Sequence, residues 1–326
     1  MSSDRDCTFA APVWSFILVV WTMSLLSAAS FACAGDTDIR YFLPEEPTCA
    51  AEDESDRSFG SACEVRKTLL QWSYGTSFPG GPPRPDERLA SDRPDFTEAS
   101  VTVGRGVAQV EMGYTYLSDR EGDARHVEHS TPEMLWRIGM FAEWFELRIA
   151  YNHLAGFDAI GNSPRDNFSG GEDLYLGVKL GLTPQEGILP ESSLILQSTV
   201  PTGHDDLTSD LVLPGISWLY GWDINDFYSV GGSTQGNRAA DSAGDVYFEL
   251  AQSLTVNYAL TEQLTAYTEW FALIPSGSET VATEHYFNGG FAWAMTNDLQ
   301  FDIRAGLGLN PSAADFFTGA GVVMRF

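Results

Sequence analysis

Along residues 107–326, apolar and polar side chains alternate in runs of about ten, separated by turn-forming residues. The clearest run is Leu299-Gln300-Phe301-Asp302-Ile303-Arg304-Ala305-Gly306-Leu307-Gly308-Leu309, in which every odd position is apolar and every even one polar or glycine. Strand side chains alternate between faces, so such a run has one greasy face and one hydrophilic face. The final run, 316–326, places Phe316, Ala320, Val322, Met324 and Phe326 on one face. Gly319, Gly321 and Arg325 lie on the other, with Val323 the exception. The same period marks 107–117, 131–141, 143–153, 172–182, 226–235, 244–258, 261–273 and 283–296, and more weakly 191–201 and 212–222. The pattern predicts an all-β chain of twelve strands.

Connection lengths add a second signal. Ala142-Glu143, Asp223-Ile224-Asn225-Asp226, Ala259-Leu260-Thr261-Glu262 and Thr296-Asn297-Asp298 are short turns. Between them come longer polar connections, at 118–130, 154–171, 203–210, 236–243 and 275–282. The connection at 183–190 should be short on this scheme and is not especially so. Alternation of short and long connections is what an antiparallel transmembrane β-barrel requires, with short periplasmic turns and longer outer loops. An even number of strands returns both ends to the periplasmic side.

A soluble β-sandwich also alternates, so alternation by itself leaves both open. In a barrel the polar face turns inward, which makes Glu111, Arg137, Glu146, Arg148, Lys179, Glu249, Glu269, Asp302, Arg304 and Arg325 the lumen-lining candidates. Aromatics near strand ends, among them Tyr114, Trp136, Tyr151, Trp218, Trp222 and Trp293, suit interfacial girdles. The alternating run closing on Phe326 resembles the aromatic C-terminal signal that the barrel-assembly machinery of Gram-negative bacteria reads. These features favour a barrel whose partners are outer-membrane lipid and that machinery.

Composition agrees once it is divided along the chain. The 326 residues carry 45 acidic and 18 basic side chains, a net charge of -27, which excludes the basic footprint of a nucleic-acid binder. The mean hydropathy of -0.12 excludes a bundle of apolar helices but not alternating strands, which average out. One stretch, 11–34, is continuously apolar and ends in Ala32-Cys33-Ala34, which reads as a signal peptide over 1–34 cleaved before Gly35. A retained anchor helix, or a lipoprotein acylated at Cys33, fits less well. Residues 35–90 are acidic and broken by Pro and Gly, with a linker at 78–85, and read as an irregular periplasmic extension. Cleavage leaves Cys49 and Cys63 as the one pair able to form a disulfide in an oxidising compartment.

Just before the first strand stands Ser91-Asp92-Arg93-Pro94-Asp95-Phe96-Thr97-Glu98-Ala99-Ser100, followed by Val103-Gly104-Arg105-Gly106 and Gln109-Val110-Glu111-Met112-Gly113-Tyr114-Thr115. With Thr199-Val200-Pro201-Thr202-Gly203 midway, this resembles the outer-membrane transporter-like family grouped under a meta-pathway of phenol degradation. The resemblance runs over 91–326. It implies an outer-membrane barrel and a link to uptake of aromatic compounds. Physically the motif admits two readings. Arg93 and Asp95 pair with lumen charges such as Glu111 or Arg325, seating the segment as a plug or lead-in. Alternatively, Asp92-Arg93 is a solvated turn ahead of Pro94, which favours extended chain.

Enzymatic constellations are weak. His126 and His129 fall in the connection 118–130 and His204-Asp205-Asp206 follows the Pro-Thr-Gly element, but neither has the spacing of a metal site. No G-x-S-x-G, no H-x-S of the barrel phospholipases and no phosphate-binding glycine loop occurs. The expectation is a non-enzymatic channel without cofactor or metal. It would pass small, hydrophobic or aromatic solutes by passive diffusion. The competing expectation is a structural or adhesive barrel that anchors its loops.

Overall fold

The computed structural model describes residues 68–70, 88–161, 163–241 and 244–326. The signal peptide, the Cys49–Cys63 pair and almost all of the extension lie outside the described residues. Fifteen strand segments are present: β1 (Ala108–Glu121), β2 (Ala124–Ser130), β3 (Met134–Gly139), β4 (Phe145–Tyr151), β5 (His153–Ile160), β6 (Ser163–Gly171), β7 (Leu174–Thr183), β8 (Glu191–Val200), β9 (Leu213–Asp223), β10 (Tyr228–Ala240), β11 (Val246–Ala259), β12 (Leu264–Ser276), β13 (Glu284–Thr296), β14 (Leu299–Gly308) and β15 (Phe316–Arg325). Every pairing is antiparallel, and β15 pairs with β1 from Gln109↔Arg325 to Ser118↔Phe316. The sheet is closed.

Counted around that closure, the barrel has twelve staves. β2 with β3, β4 with β5, and β6 with β7 are successive lengths of single strands, interrupted at 131–133, at Asn152 and at 172–173. Glu111↔Leu135 and Thr115↔Ser130 are both partners, so four steps along β1 face five on the next stave. Likewise three steps from Ala150 to His153 face four from Gly171 to Tyr175. One extra residue on one side of a pair is a β-bulge, which bends the strand and shifts its phase by one.

This phase slip accounts for the connections expected at 118–130 and 154–171, which are strands. The first is the end of β1, a tight turn and β2; the second is the hairpin β5–β6. Beyond the bulge, His126, Glu128 and Ser130 take the side held by Leu135 and Arg137 below it. No single period of two spans the stave. His126 and His129 are therefore on strand β2.

Burial runs opposite to that of a soluble protein. The largest fully buried side chains are Arg137, Arg148 and Lys179, while Phe291, Trp293, Phe301, Ile303, Leu254 and Trp218 are exposed. Apolar side chains outside and charged ones inside is the arrangement of a transmembrane β-barrel. Aromatic rings group on its outer wall, as in the Trp218–Tyr220–Trp222 row of β9, whose successive centroids are 4.7 and 5.9 Å apart.

Candidate functional site

The lumen is occupied by the chain itself. Residues 91–107, which carry no repeating pattern and end in two left-handed glycines, Gly104 and Gly106, run inside the barrel before β1 begins. Interior charges on the wall need partners, because an unpaired charge away from water is costly. The segment supplies them around most of the circumference.

On the β1–β3–β4–β7 side, Asp92 is the hub. Its amide donates to the Glu111 carboxylate at 3.1 Å. Its own carboxylate receives Arg148 at 2.7 Å, Arg137 at 3.2 Å and Lys179 at 3.4 Å. Burial works to raise the Asp92 pKa, but these three cations hold it well below the usual carboxylate range. Arg137 reaches further: Nε donates to Glu146 at 2.8 Å and the guanidinium also donates to the carbonyls of Ala90 and Val101 at 2.9 and 3.1 Å. Glu146 accepts the Val103 amide at 2.9 Å, and Arg148 donates to Glu98.

Across the lumen the motif docks again. The amides of Phe96 and Thr97 and the Thr97 hydroxyl all donate to Glu269 of β12 at 2.7 Å, and Asn288 of β13 adds a fourth bond at the same distance. Asp95 lies against Thr255 and Glu269; burial and the neighbouring Glu269 carboxylate push its pKa well above the usual range. The Phe96 ring stacks on Phe271 at 4.4 Å, and Phe271 in turn stacks on Tyr286 at 4.8 Å. Such stacks contribute about 0.5–1.5 kcal/mol beyond area burial.

Arg93 makes the third anchor, donating to Asp302 of β14 at 3.3 Å and to Glu133 at 2.8 Å. Arg304 donates to the Pro94 carbonyl at 3.1 Å. The Arg93 guanidinium fits because Gly113 and Gly321 have no side chain: a Cβ at either would stand 2.2 Å from it. Gly321→Val alters no charge yet displaces Arg93, losing hydrogen bonds to charged groups worth about 1.5–3 kcal/mol each. The expected result is faster amide exchange at residues 92–103 with unchanged exchange in β9–β12. Unchanged protection of 92–103 would show that Arg93 does not hold the segment.

Two of the other lumen candidates sit apart from these anchors. Arg325 pairs with Asp298 at 2.8 Å near the short β13–β14 turn, not with the motif. Glu249 is half-buried, beside Tyr247 and Glu284. Arg93 finds Asp302 and Glu133, and it is the Asp92 amide that meets Glu111. Among the described residues no group of three His, Cys, Asp or Glu is placed to hold a metal ion.

Among the described residues, two of the cavities beside the segment stand out. The larger, about 510 Å³, is lined in part by Leu135, Ala150, Tyr175, Leu207 and Leu213. The other, about 350 Å³, lies toward the short-turn end, against Gly221, Thr255, Asn257 and Tyr267. The Pro-Thr-Gly element belongs to the roof of the larger one. Thr202 and Gly203 donate their amides to Asp173 at 3.1 and 3.0 Å, and Ser209 reaches the other oxygen of that carboxylate at 3.1 Å. Gly203 packs so closely that a Cβ would lie 2.9 Å from the backbone of Gly171–Asp173.

Sequence reading did not single out Glu133, Asn288, Phe271, Glu172 or Asp173. Glu133 and Asp173 sit in the two bulges, where loss of phase hides which way a residue faces. A carboxylate interrupting an alternating run was the signal available.

The family model described as "Putative MetA-pathway of phenol degradation" matches residues 91–326. Among solved structures, the COG4313 outer membrane channel from Pseudomonas putida F1 is similar, with 12% identity and a TM-score of 0.55 over 70% of this chain and 98% of that one. The NanC porin (10% identity, TM-score 0.42, 67% and 100%) is a more distant likeness. So is the translocator domain of NalP from Neisseria meningitidis (11%, 0.44, 68% and 89%). The first of these supports the barrel fold; the other two add no argument. No protein of curated function matches the sequence.

Proposed function

The chain belongs to the family of the MetA-pathway of phenol degradation, and on that premise we propose that it is an outer-membrane channel for small hydrophobic or aromatic solutes. The observation that carries this reading is the larger cavity. It sits inside a transmembrane barrel, sets the apolar side chains Leu135, Ala150, Tyr175, Leu207 and Leu213 beside a set of charged and polar ones, and has about 510 Å³, within the range of small-molecule sites. A porin for polar solutes needs an open aqueous lumen instead. Here the lead-in segment closes the wide path and leaves room for one small molecule at a time.

Transport is passive on this reading, driven by the solute gradient. The family label supports aromatic solutes as the class. The location in the outer membrane follows from the apolar belt, and barrel-assembly machinery acting on the last strand would deliver it there. No chemical step is assigned to the lumen residues, which bind, orient and exclude.

The test is planar-bilayer recording with the purified, folded barrel. A small conductance is expected, blocked saturably by a ring alcohol but not by a hexose of similar volume. A folded barrel with neither conductance nor block would sink the channel reading and favour a barrel that only anchors its loops, its buried ion network serving stability alone.

A further inference from the structure

The two cavities lie toward opposite ends of the barrel, and among the described residues Glu98 is the one that lines both. Its carboxylate is held by the Arg148 guanidinium. We propose, building on the channel reading, that solute crosses the lead-in segment at Glu98, and that the Glu98–Arg148 pair is the bar across that path.

The geometry separates a part that moves from a part that stays. Of the carboxylates around Arg148, Glu98 is the wet one: its side chain is 22% exposed, against 4% for Asp92 and 0% for Glu146. A partly hydrated pair opens at much lower cost than a sealed one, because the released carboxylate keeps water. When Glu98 swings away, Arg148 retains Asp92 at 2.7 Å and Glu146 at 3.0 Å. The segment's backbone retains its bonds to Glu111, Glu269 and Glu146. Passage past Glu98 therefore leaves the segment seated.

The same position sets which solutes pass. The larger cavity presents Glu98, Glu133, Glu172 and Asp173 against the single cation Arg148. Anions approaching Glu98 meet like charge, whereas cations and neutral hydroxyl or amine donors meet acceptors. Glu98 is the specificity-determining residue, and the path favours cations and hydrogen-bond donors over carboxylates.

Planar-bilayer recording of the full-length protein in a potassium chloride gradient tests this. Wild type should conduct weakly with a cation-selective reversal potential. Glu98→Ala should raise conductance about two- to fivefold, the factor carried by a partly exposed ion pair, and lower the selectivity. Glu98→Gln, nearly the same size, should lower selectivity without enlarging the path. Glu262→Gln, an exposed carboxylate of the β11–β12 turn that lines neither cavity, should change neither. A second readout uses cysteine variants on a Cys49→Ser, Cys63→Ser background and a membrane-impermeant maleimide. Glu98→Cys should react from both faces, Leu207→Cys from one and Asn257→Cys from the other. Wild-type conductance and selectivity in Glu98→Ala, or labelling of Glu98→Cys from one face only, would overturn the proposal while leaving the channel reading in place. Absence of conductance in every form would overturn both.

Discussion

Arg137→Met is expected to lower the unfolding free energy of the barrel by about 3–5 kcal/mol, the cost of removing one partner from a sealed ionic cluster. The Arg137 side chain is 0% exposed and faces Asp92, Glu111 and Glu146 within 3.2 Å. Taking it away leaves those three carboxylates with only Arg148 and Lys179 to offset them. It also orphans the Ala90 and Val101 carbonyls, which accept from the guanidinium. Methionine keeps much of the volume, so the loss reports charge rather than a void. Urea unfolding in phospholipid vesicles, followed by tryptophan fluorescence and by heat-modifiable migration, measures it. A loss below about 1 kcal/mol, the range of solvated pairs, would mean that water reaches the cluster.

Asp92→Asn should have its main effect on the segment rather than on the wall. Asp92 is the one group that ties the segment to three wall cations at once, through Arg137, Arg148 and Lys179. Removing its charge weakens the seat by about 3–5 kcal/mol, which multiplies the unseated population by roughly a hundred- to several thousandfold. In a bilayer this appears as bursts of large conductance above the small steady level, with amide protection lost first at residues 92–103. The wall still closes through β15 and β1, so the barrel remains folded. An unchanged record, with no bursts, would show that Glu269 and Arg93 seat the segment without Asp92. The contrast with Glu98→Ala is informative: one variant opens the bar, the other releases the whole segment.

Both effects depend on the polar interior of the barrel. Lumen charges in a membrane barrel are kept from water by whatever fills the lumen, so here the filling segment and the wall charges stabilise one another. Without residues 91–107, Glu111, Arg137, Glu146 and Glu269 would face an aqueous pore. With them, each has a fixed partner.

Much of this was legible in the residues. Alternation with a period of two places Glu111, Arg137, Arg148, Lys179, Glu269 and Asp302 on one side of their strands and exposed aromatics such as Trp136, Trp218 and Trp293 on the other. That follows from local backbone geometry, since successive strand side chains must face opposite ways. Twelve staves, their order and the irregular character of the chain before β1 come from the same local information. Two things did not. The bulges at 131–133 and 172–173 each shift the phase by one, so the strands beyond them read as polar connections. The partners of the motif were also hidden, because Arg93 meets Asp302 209 positions away and Thr97 meets Glu269 172 positions away. A local pattern states that a side chain faces inward; only closure of the sheet brings a given wall charge opposite a given residue of the segment. The sequence by itself determined a barrel with a charged interior. The tertiary structure decided that its own leading segment neutralises that interior, and left Glu98 in the lining of two cavities beside that segment.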